Sequence, residues 1–280
     1  MHTSFENYNE TSNSYDQTRT PLGLEIILGC LALNPLHLSE QVILDGGCGT
    51  GNYIHALLDR LKYIYGLEVN EGMLSQARQK LETAPNATLA QGSLLQIPYG
   101  DNMFDGLIMN QVIHHLADRQ TGDLSNTRTL LAEAYRALKP DGVLIINTSS
   151  QKQLFDGYWW ADLIPEAMGR AARFFLPIPQ LNEMLTAAGF RLGGVIVPVH
   201  EALQGPSYFD PRGPLDASYR AGDSTWALAT PTELDRAIQR TQKMNDEGTM
   251  TPYMAARDKL RQQIGQTTFV SATKPHLMKK

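Results

Sequence analysis

Seven short apolar runs of strand length recur along this chain, and their alternation with helical patterns constrains its fold more than any other feature. They are residues 42–46 (VILDG), 63–68 (YIYGLE), 87–91 (ATLAQ), 104–109 (FDGLIM), 143–147 (VLIIN), 192–197 (LGGVIV) and 267–272 (TTFVSA). Several are continuous rather than alternating, as expected of strands covered on both faces. Between them Ile54, Leu57, Leu58 and Leu61 fall at helical spacing, as do Met73, Leu74, Ala77 and Leu81 behind the cap candidate Asn70. Residues 126–138 repeat the pattern through Leu130, Leu131, Ala134 and Leu138 and stop at a helix exit and turn, Lys139-Pro140-Asp141-Gly142. Pro179 opens a further helix that Gly189 closes. Such alternation predicts an α/β chain: a doubly wound, seven-stranded, mostly parallel sheet with helices on both faces.

With 280 residues the chain is long enough for one large α/β domain carrying insertions, and nothing in it requires a second. Residues 35–147 form the expected core. Residues 1–34 are an N-terminal cap, a polar lead followed by a helix opened by Thr20 and Pro21 and filled by Leu22, Ile26 and Ile27. Residues 148–178, rich in Phe and Trp, form a lid insertion after the fifth strand, and 198–266 form a second accessory insertion before the last. In the latter, Thr230, Pro231 and Glu233 read as a capping box with proline at the first helical position, and 253–264 as one more helix.

The composition narrows the partners. Two cysteines, Cys30 and Cys48, cannot make a disulfide framework or a four-thiol metal site, and no metal site is expected. The polar, acid-containing lead is neither a secretory signal nor an Arg-rich transit segment, and runs such as IILGCLAL are core-helix sized rather than membrane spans. A cytoplasmic setting is the expectation. The net charge of −5, from 24 basic and 29 acidic residues, and the scatter of the basic ones disfavour a nucleic-acid backbone and favour a small substrate; a homodimer stays open.

The chemistry centres on DGGCGTG, residues 45–51, between a strand and a helix. A glycine-rich turn there lets backbone approach a ligand closely, the helix amino end offers N–H groups, and the place is the crevice at the carboxyl ends of parallel strands. Gly47, Gly49 and Gly51 are spaced GxGxG, not the GxGxxG of a dinucleotide fold, and Asp45 immediately before them would repel a pyrophosphate but suit an amine-bearing ligand. Glu68, ending the second strand, can accept hydrogen bonds from vicinal ribose hydroxyls or be an exposed strand-end acid.

DGGCGTG with Glu68, the segment QGSLLQIPYGDNMFDGLIMNQVIHHL and YRALKPDGVLIINT resemble, as an ordered set, the class I S-adenosylmethionine-dependent methyltransferases, in their small-molecule branch that includes quinone methyltransferases. The resemblance spans roughly residues 42–148 and implies the Rossmann-like methyltransferase fold, S-adenosylmethionine as cofactor, and methyl transfer to a small-molecule O, N, C or S nucleophile. It implies that the turn from Gly46 and Gly47 to Gly51 lies along the cofactor's methionine part, with Asp45 steadying the turn and the bound amino group. Glu68 would hold both ribose hydroxyls, and Val69 and Met73 would press on the adenine. After Gly92 the family commonly has an aspartate at the adenine amine; this chain has Ser93, a shorter and neutral acceptor. Leu94 would add its amide and apolar cover, and Asn110 and Gln111 would face the methionine end. Tyr15 and Arg19, in YDQTR, resemble a family pair that closes over the cofactor carboxylate.

His114 and His115 follow the fourth strand, where an imidazole could take a proton from the acceptor or serve as a buried hydrogen-bonding group; the family motif turns the second more often inward. The acceptor pocket is expected from the accessory segments: Phe155, Tyr158, Trp159, Trp160, Phe174 and Phe175, then Tyr208, Phe209, Tyr219 and Trp226, with Arg212 and Arg220 as carboxylate readers or solvated loop residues. Three other readings compete. They are a catalytically degenerate cofactor-fold protein with a binding or regulatory role, an RNA methyltransferase, and an NAD-dependent oxidoreductase.

Overall fold

A computed structural model describes residues 21–116 and 123–276. The seven strands are β1 (Val42–Gly46), β2 (Tyr63–Glu68), β3 (Ala87–Gln91), β4 (Phe104–Asn110), β5 (Leu138–Thr148), β6 (Arg191–Ile196) and β7 (Thr268–Thr273). They form one sheet of order β3-β2-β1-β4-β5-β7-β6. β1 pairs in parallel with β2 and β4, β2 with β3 and β4 with β5, while β6 runs antiparallel to β7. Chain order reverses between β1 and β4, the switch point at which open parallel sheets leave a crevice beyond the strand ends. The continuous apolar runs are central: Leu107, Ile108 and Met109 of β4 and Leu144, Ile145 and Ile146 of β5 are all fully buried.

The chain divides into two compact units. Of the described residues, one unit comprises those within Gly23–Thr148, Pro177–Ile196 and 269–276; the other comprises Ser149–Leu176 and Val197–Thr268, with Pro21 and Leu22.

In the sheet unit, Asp105 is the main polar tie. Its buried carboxylate accepts the Val42 N–H at 2.9 Å and the Lys139 ammonium at 2.9 and 3.0 Å, joining the starts of β1, β4 and β5. The helix Glu71–Lys80 begins as its sequence dictates, with Asn70 Oδ1 accepting the Met73 N–H at 3.0 Å. Three local expectations are corrected. The helix expected to open at Thr20 and Pro21 spans Leu24–Leu31 behind Gly23, so Pro21 and Leu22 precede it. Lys139-Pro140-Asp141-Gly142 does not close the helix Ser125–Ala137 with a loop; it lies inside β5 as a bulged segment, with Asp141 at φ 65°. The helix beginning near Pro179 starts one residue earlier, at Ile178.

The second unit is helical, with aromatic layers inside. Trp159 Nε1 donates to the Tyr208 carbonyl at 2.6 Å, and Trp160 Nε1 to Gln204 at 3.1 Å. The Trp160 ring lies 4.8 Å from that of Tyr158 and 5.2 Å from that of Trp226. Phe155 and Phe209 are exposed instead. Gln153 binds the carbonyls of Ile264 and Thr267, fastening the start of this unit to its end. Thr230 caps the helix Pro231–Asp246 through the Glu233 N–H at 3.2 Å, but the Glu233 side chain does not complete the capping box. It turns to the helix Pro165–Ala172, where it accepts the N–H groups of Glu166 and Ala167 at 2.8 and 2.9 Å and pairs with Arg170. Two free N–H groups at a helix start attract the carboxylate more strongly than its own cap does. Among the described residues no helix is long and apolar enough to cross a membrane.

Candidate functional site

The turn after β1 is left-handed at Gly47, Gly49 and Gly51, with φ of 75°, 54° and 78°. A Cβ at Gly47 would lie 2.5 Å from Val112 Cγ2, whereas one at Gly49 would meet nothing within 4 Å. Gly47 is therefore a glycine for packing, and Gly49 is one that faces open space.

The turn's N–H groups do not wait for a ligand. Gly47 and Cys48 donate to the Leu67 carbonyl at 2.7 and 3.1 Å, Gly51 donates to the Cys48 carbonyl at 2.9 Å, and Gly49 donates to Glu68 Oε2 at 3.0 Å. The helix that follows, Asn52–Leu57, is also too short for a substantial dipole. What the turn offers is close backbone approach, and its steadying acid is Glu68 rather than Asp45.

Asp45 is left with another task. Its side chain is 2 % exposed, and its Oδ2 has no hydrogen-bond partner among the described residues. Burial, and secondarily the nearby Glu68 carboxylate, push its pKa up to about 7. Both causes penalise the anion, and both are relieved by a cation. Burial, Asp45 and Glu68 also raise the pKa of the Cys48 thiol, which favours its protonated form.

Glu68 ends β2 with Oε1 on the Asn70 N–H at 2.8 Å and Oε2 on Gly49. A carboxylate accepts about four hydrogen bonds, so this one retains acceptor capacity. Val69 beside it is 51 % exposed, an apolar plate at the strand end, while Met73 is buried beneath. At the end of β3 the Gly92 N–H donates to the Glu68 carbonyl at 3.0 Å, Ser93 is exposed, and Leu94 is buried so close over Gly46 that a Cβ there would lie 2.6 Å from Leu94 Cδ2.

Across the switch point, Asn110 closes β4 with both amide atoms buried and without hydrogen-bond partners among the described residues. Gln111 follows in the left-handed region, φ 54°, its N–H on the Asn147 carbonyl at 2.8 Å. A non-glycine residue held there stores strain, which concentrates where side chains are aimed for a task. Val112, the residue a Cβ on Gly47 would strike, carried no signal in the sequence. His114 is the buried one of the pair and His115 the half-buried one, with ring centroids 4.1 Å apart. This reverses the order that the family motif suggests; both rings lie on a 3₁₀ turn over Ile113–His115. Tyr15 and Arg19 lie outside the described residues. Arg220 donates to the Pro214 carbonyl at 2.7 Å, which gives it a structural role, and Arg212 is exposed.

A buried lone carboxylate at β1, a strand-end acid with spare acceptors at β2 and an orphaned amide at β4 together suit a ligand carrying an amine, a diol and further polar groups. Residues 44–146 match the family model of the methyltransferase domain. The chain is 27 % identical over 169 residues to an uncharacterised methyltransferase of Anoxybacillus flavithermus, covering 60 % of this chain and 76 % of that one. It is 30 % identical over 120 residues to an uncharacterised methyltransferase of Geobacillus sp. WCH70, covering 42 % of this chain and only 54 % of that one. Among solved structures, a protein from Anabaena variabilis described as a methyltransferase of an antibiotic biosynthesis pathway superposes with a TM-score of 0.73 at 24 % identity, covering 92 % of this chain and 99 % of that one. The segment from β1 into β5 thus matches a methyltransferase domain, and the relatives that share it are described as methyltransferases.

Proposed function

We propose that this enzyme transfers the methyl group of S-adenosylmethionine to a small-molecule acceptor, at an oxygen, nitrogen, carbon or sulfur nucleophile. One observation carries the reading: the buried Asp45 carboxylate, with Oδ2 unpartnered, stands directly behind a turn that Gly49 leaves open. Ionising a buried carboxylate beside a second acid is costly unless a cation meets it, and the cofactor's α-ammonium is such a cation. The same group counts against NAD, whose pyrophosphate it would repel.

In this reading Gly46, Gly47, Gly49 and Gly51 lie along the methionine part, and Asp45 takes the ammonium. Glu68 uses its remaining lone pairs on the ribose hydroxyls, Val69 covers the adenine with Met73 supporting it, and Gly92, Ser93 and Leu94 border the base. Asn110 and Gln111 address the methionine end, and Tyr15 and Arg19 the cofactor carboxylate. When bound, the cofactor supplies an electrophilic methyl on a sulfonium centre. The chain's own residues then supply positioning and exclusion of water, which can provide most of the rate. Where the acceptor carries a proton, His115, less buried than His114, is the candidate to take it at the acceptor atom.

The acidic balance and scattered basic residues support a metabolite over a nucleic acid. The two free thiols accord with a cytoplasmic setting, and the sheet and its insertions are read as one methyltransferase domain. Parallel calorimetric titrations with S-adenosylhomocysteine and NAD test the cofactor. Saturable binding of the first alone is expected, and binding of NAD alone overturns the reading. Label from methyl-labelled cofactor, incubated with a cell extract, is expected in the low-mass fraction; label confined to RNA or protein refutes the small acceptor.

A further inference from the structure

We propose that this chain reads the base of its cofactor through Ser93 and the apolar face of Val69, with no anionic acceptor for the purine 6-amino group among the described residues, and so accepts N6-alkylated and 6-oxo forms of the cofactor. The inference rests on the functional reading above, in which Glu68 holds the sugar. With the turn at β1 and the sugar-binding acid at β2, a nucleoside extends its base toward the next strand in the sheet, β3. The residues there are Val69, 51 % exposed, and the exposed Ser93, one residue beyond the Gly92 N–H that donates to the Glu68 carbonyl at 3.0 Å.

Among the described residues, the acids near β3 are paired elsewhere. Between Gln91 and Asn102 the sole acidic residue is Asp101, paired with Arg136 at 2.9 Å. Glu133 holds the Ile97 N–H at 2.8 Å and the Arg136 guanidinium, and Glu71 pairs with Arg78. The Gln91 amide is turned back onto the Val69 carbonyl at 3.3 Å. Ser93 itself is fixed by a tight turn, its Oγ accepting the Leu95 N–H at 3.1 Å and its carbonyl the Gln96 N–H at 3.1 Å. A hydroxyl so used keeps its proton to donate. It can serve a ring nitrogen or a 6-oxo group as well as an amine, whereas a carboxylate would reject an oxygen at that place. Selectivity for adenine then comes from shape and stacking, and is shallow.

Calorimetry with S-adenosylhomocysteine, its N6-methyl derivative and S-inosylhomocysteine tests this on the wild-type protein and on Ser93→Asp. The wild type is expected to bind all three within about threefold, whereas Ser93→Asp tightens S-adenosylhomocysteine and weakens S-inosylhomocysteine by more than about tenfold, as a charge-assisted contact replaces a neutral one. A wild type that binds S-adenosylhomocysteine but loses more than about tenfold on both analogues, roughly 1.4 kcal/mol each, overturns the proposal while leaving the functional reading intact. Failure to bind S-adenosylhomocysteine at all overturns that reading, and the proposal with it.

Discussion

Glu68 Oε2 accepts the Gly49 N–H at 3.0 Å, and Oε1 of the same carboxylate accepts the Asn70 N–H at 2.8 Å. One acid at the end of β2 therefore fixes the glycine turn after β1 and the cap residue of the helix after β2. In the proposed reading it also tethers a ribose, so its loss removes ligand contacts and loosens the turn together. Glu68→Ala is expected to weaken S-adenosylhomocysteine binding by more than about tenfold, over about 1.4 kcal/mol, by calorimetry. Glu68→Gln, which keeps one carbonyl acceptor, should fall between. Unchanged affinity in the alanine variant would refute the assignment.

Asp45 carries a pH signature. Burial and the neighbouring Glu68 raise its pKa from 3.8 to about 7 in the folded chain. Between these values the folded state holds a proton that the unfolded state has released, so the group's contribution to stability declines as pH rises from about 4 to 7. Asp45→Asn removes that decline. Its melting temperature relative to wild type, both without ligand, should be higher at pH 8 than at pH 5, as differential scanning fluorimetry can measure; a flat difference would rule out the raised pKa. A bound ammonium favours the carboxylate, so wild-type affinity for S-adenosylhomocysteine should rise from pH 6 to 8 with proton release, detected as a binding enthalpy that varies with the buffer.

The sheet was legible because its central strands, β4 and β5 above all, carry continuous apolar runs that suit a doubly covered strand, and because Asn70 is a local cap that needs no tertiary help. The KPDG segment misled because proline and glycine mark a turn equally well inside a bulged strand, and only the Phe104–Leu138 and Gly106–Val143 pairs reveal that β5 continues through it. Glu233 was misplaced for a similar reason. A capping box is a local pattern, and the competing N–H groups of Glu166 and Ala167 lie far away in sequence. At the site, Asp45 and Glu68 stood out as acids at the ends of apolar strands, whereas Asn110 entered only through the family resemblance. Which acid held the turn depends on side-chain reach, and no spacing encodes that.

Gly47 and Gly49 separate stability from binding. Both sit in the left-handed region, where a side chain costs about 1–2 kcal/mol. At Gly47 a Cβ also lies 2.5 Å from Val112 Cγ2, so Gly47→Ala should lower the denaturation midpoint more than Gly49→Ala, whose Cβ meets nothing. Gly49→Ala should instead weaken S-adenosylhomocysteine binding beyond what its small stability loss explains, because the added methyl enters the space assigned to the cofactor. Urea denaturation with calorimetry on both variants checks this. Full affinity in Gly49→Ala would place the ligand elsewhere.

Glu233 is the most deeply committed acid of the second unit, 1 % exposed, holding the N–H groups of Glu166 and Ala167 and the Arg170 guanidinium. Its removal leaves buried donors at the start of the helix Pro165–Ala172 and a cation without its partner. Breaking a buried pair from one side costs about 3–5 kcal/mol. Glu233→Ala should approach the lower figure, since Arg170 is partly solvated, and Glu233→Gln should lose less because its carbonyl still serves the helix N–H groups. Arg170→Ala should cost less than either, since it leaves the carboxylate on its two N–H donors. Urea denaturation of the three variants tests whether the helix start or the ion pair dominates: the loss should fall from Glu233→Ala through Glu233→Gln to Arg170→Ala, and a costlier loss of Arg170 than of Glu233 would give the dominant role to the ion pair.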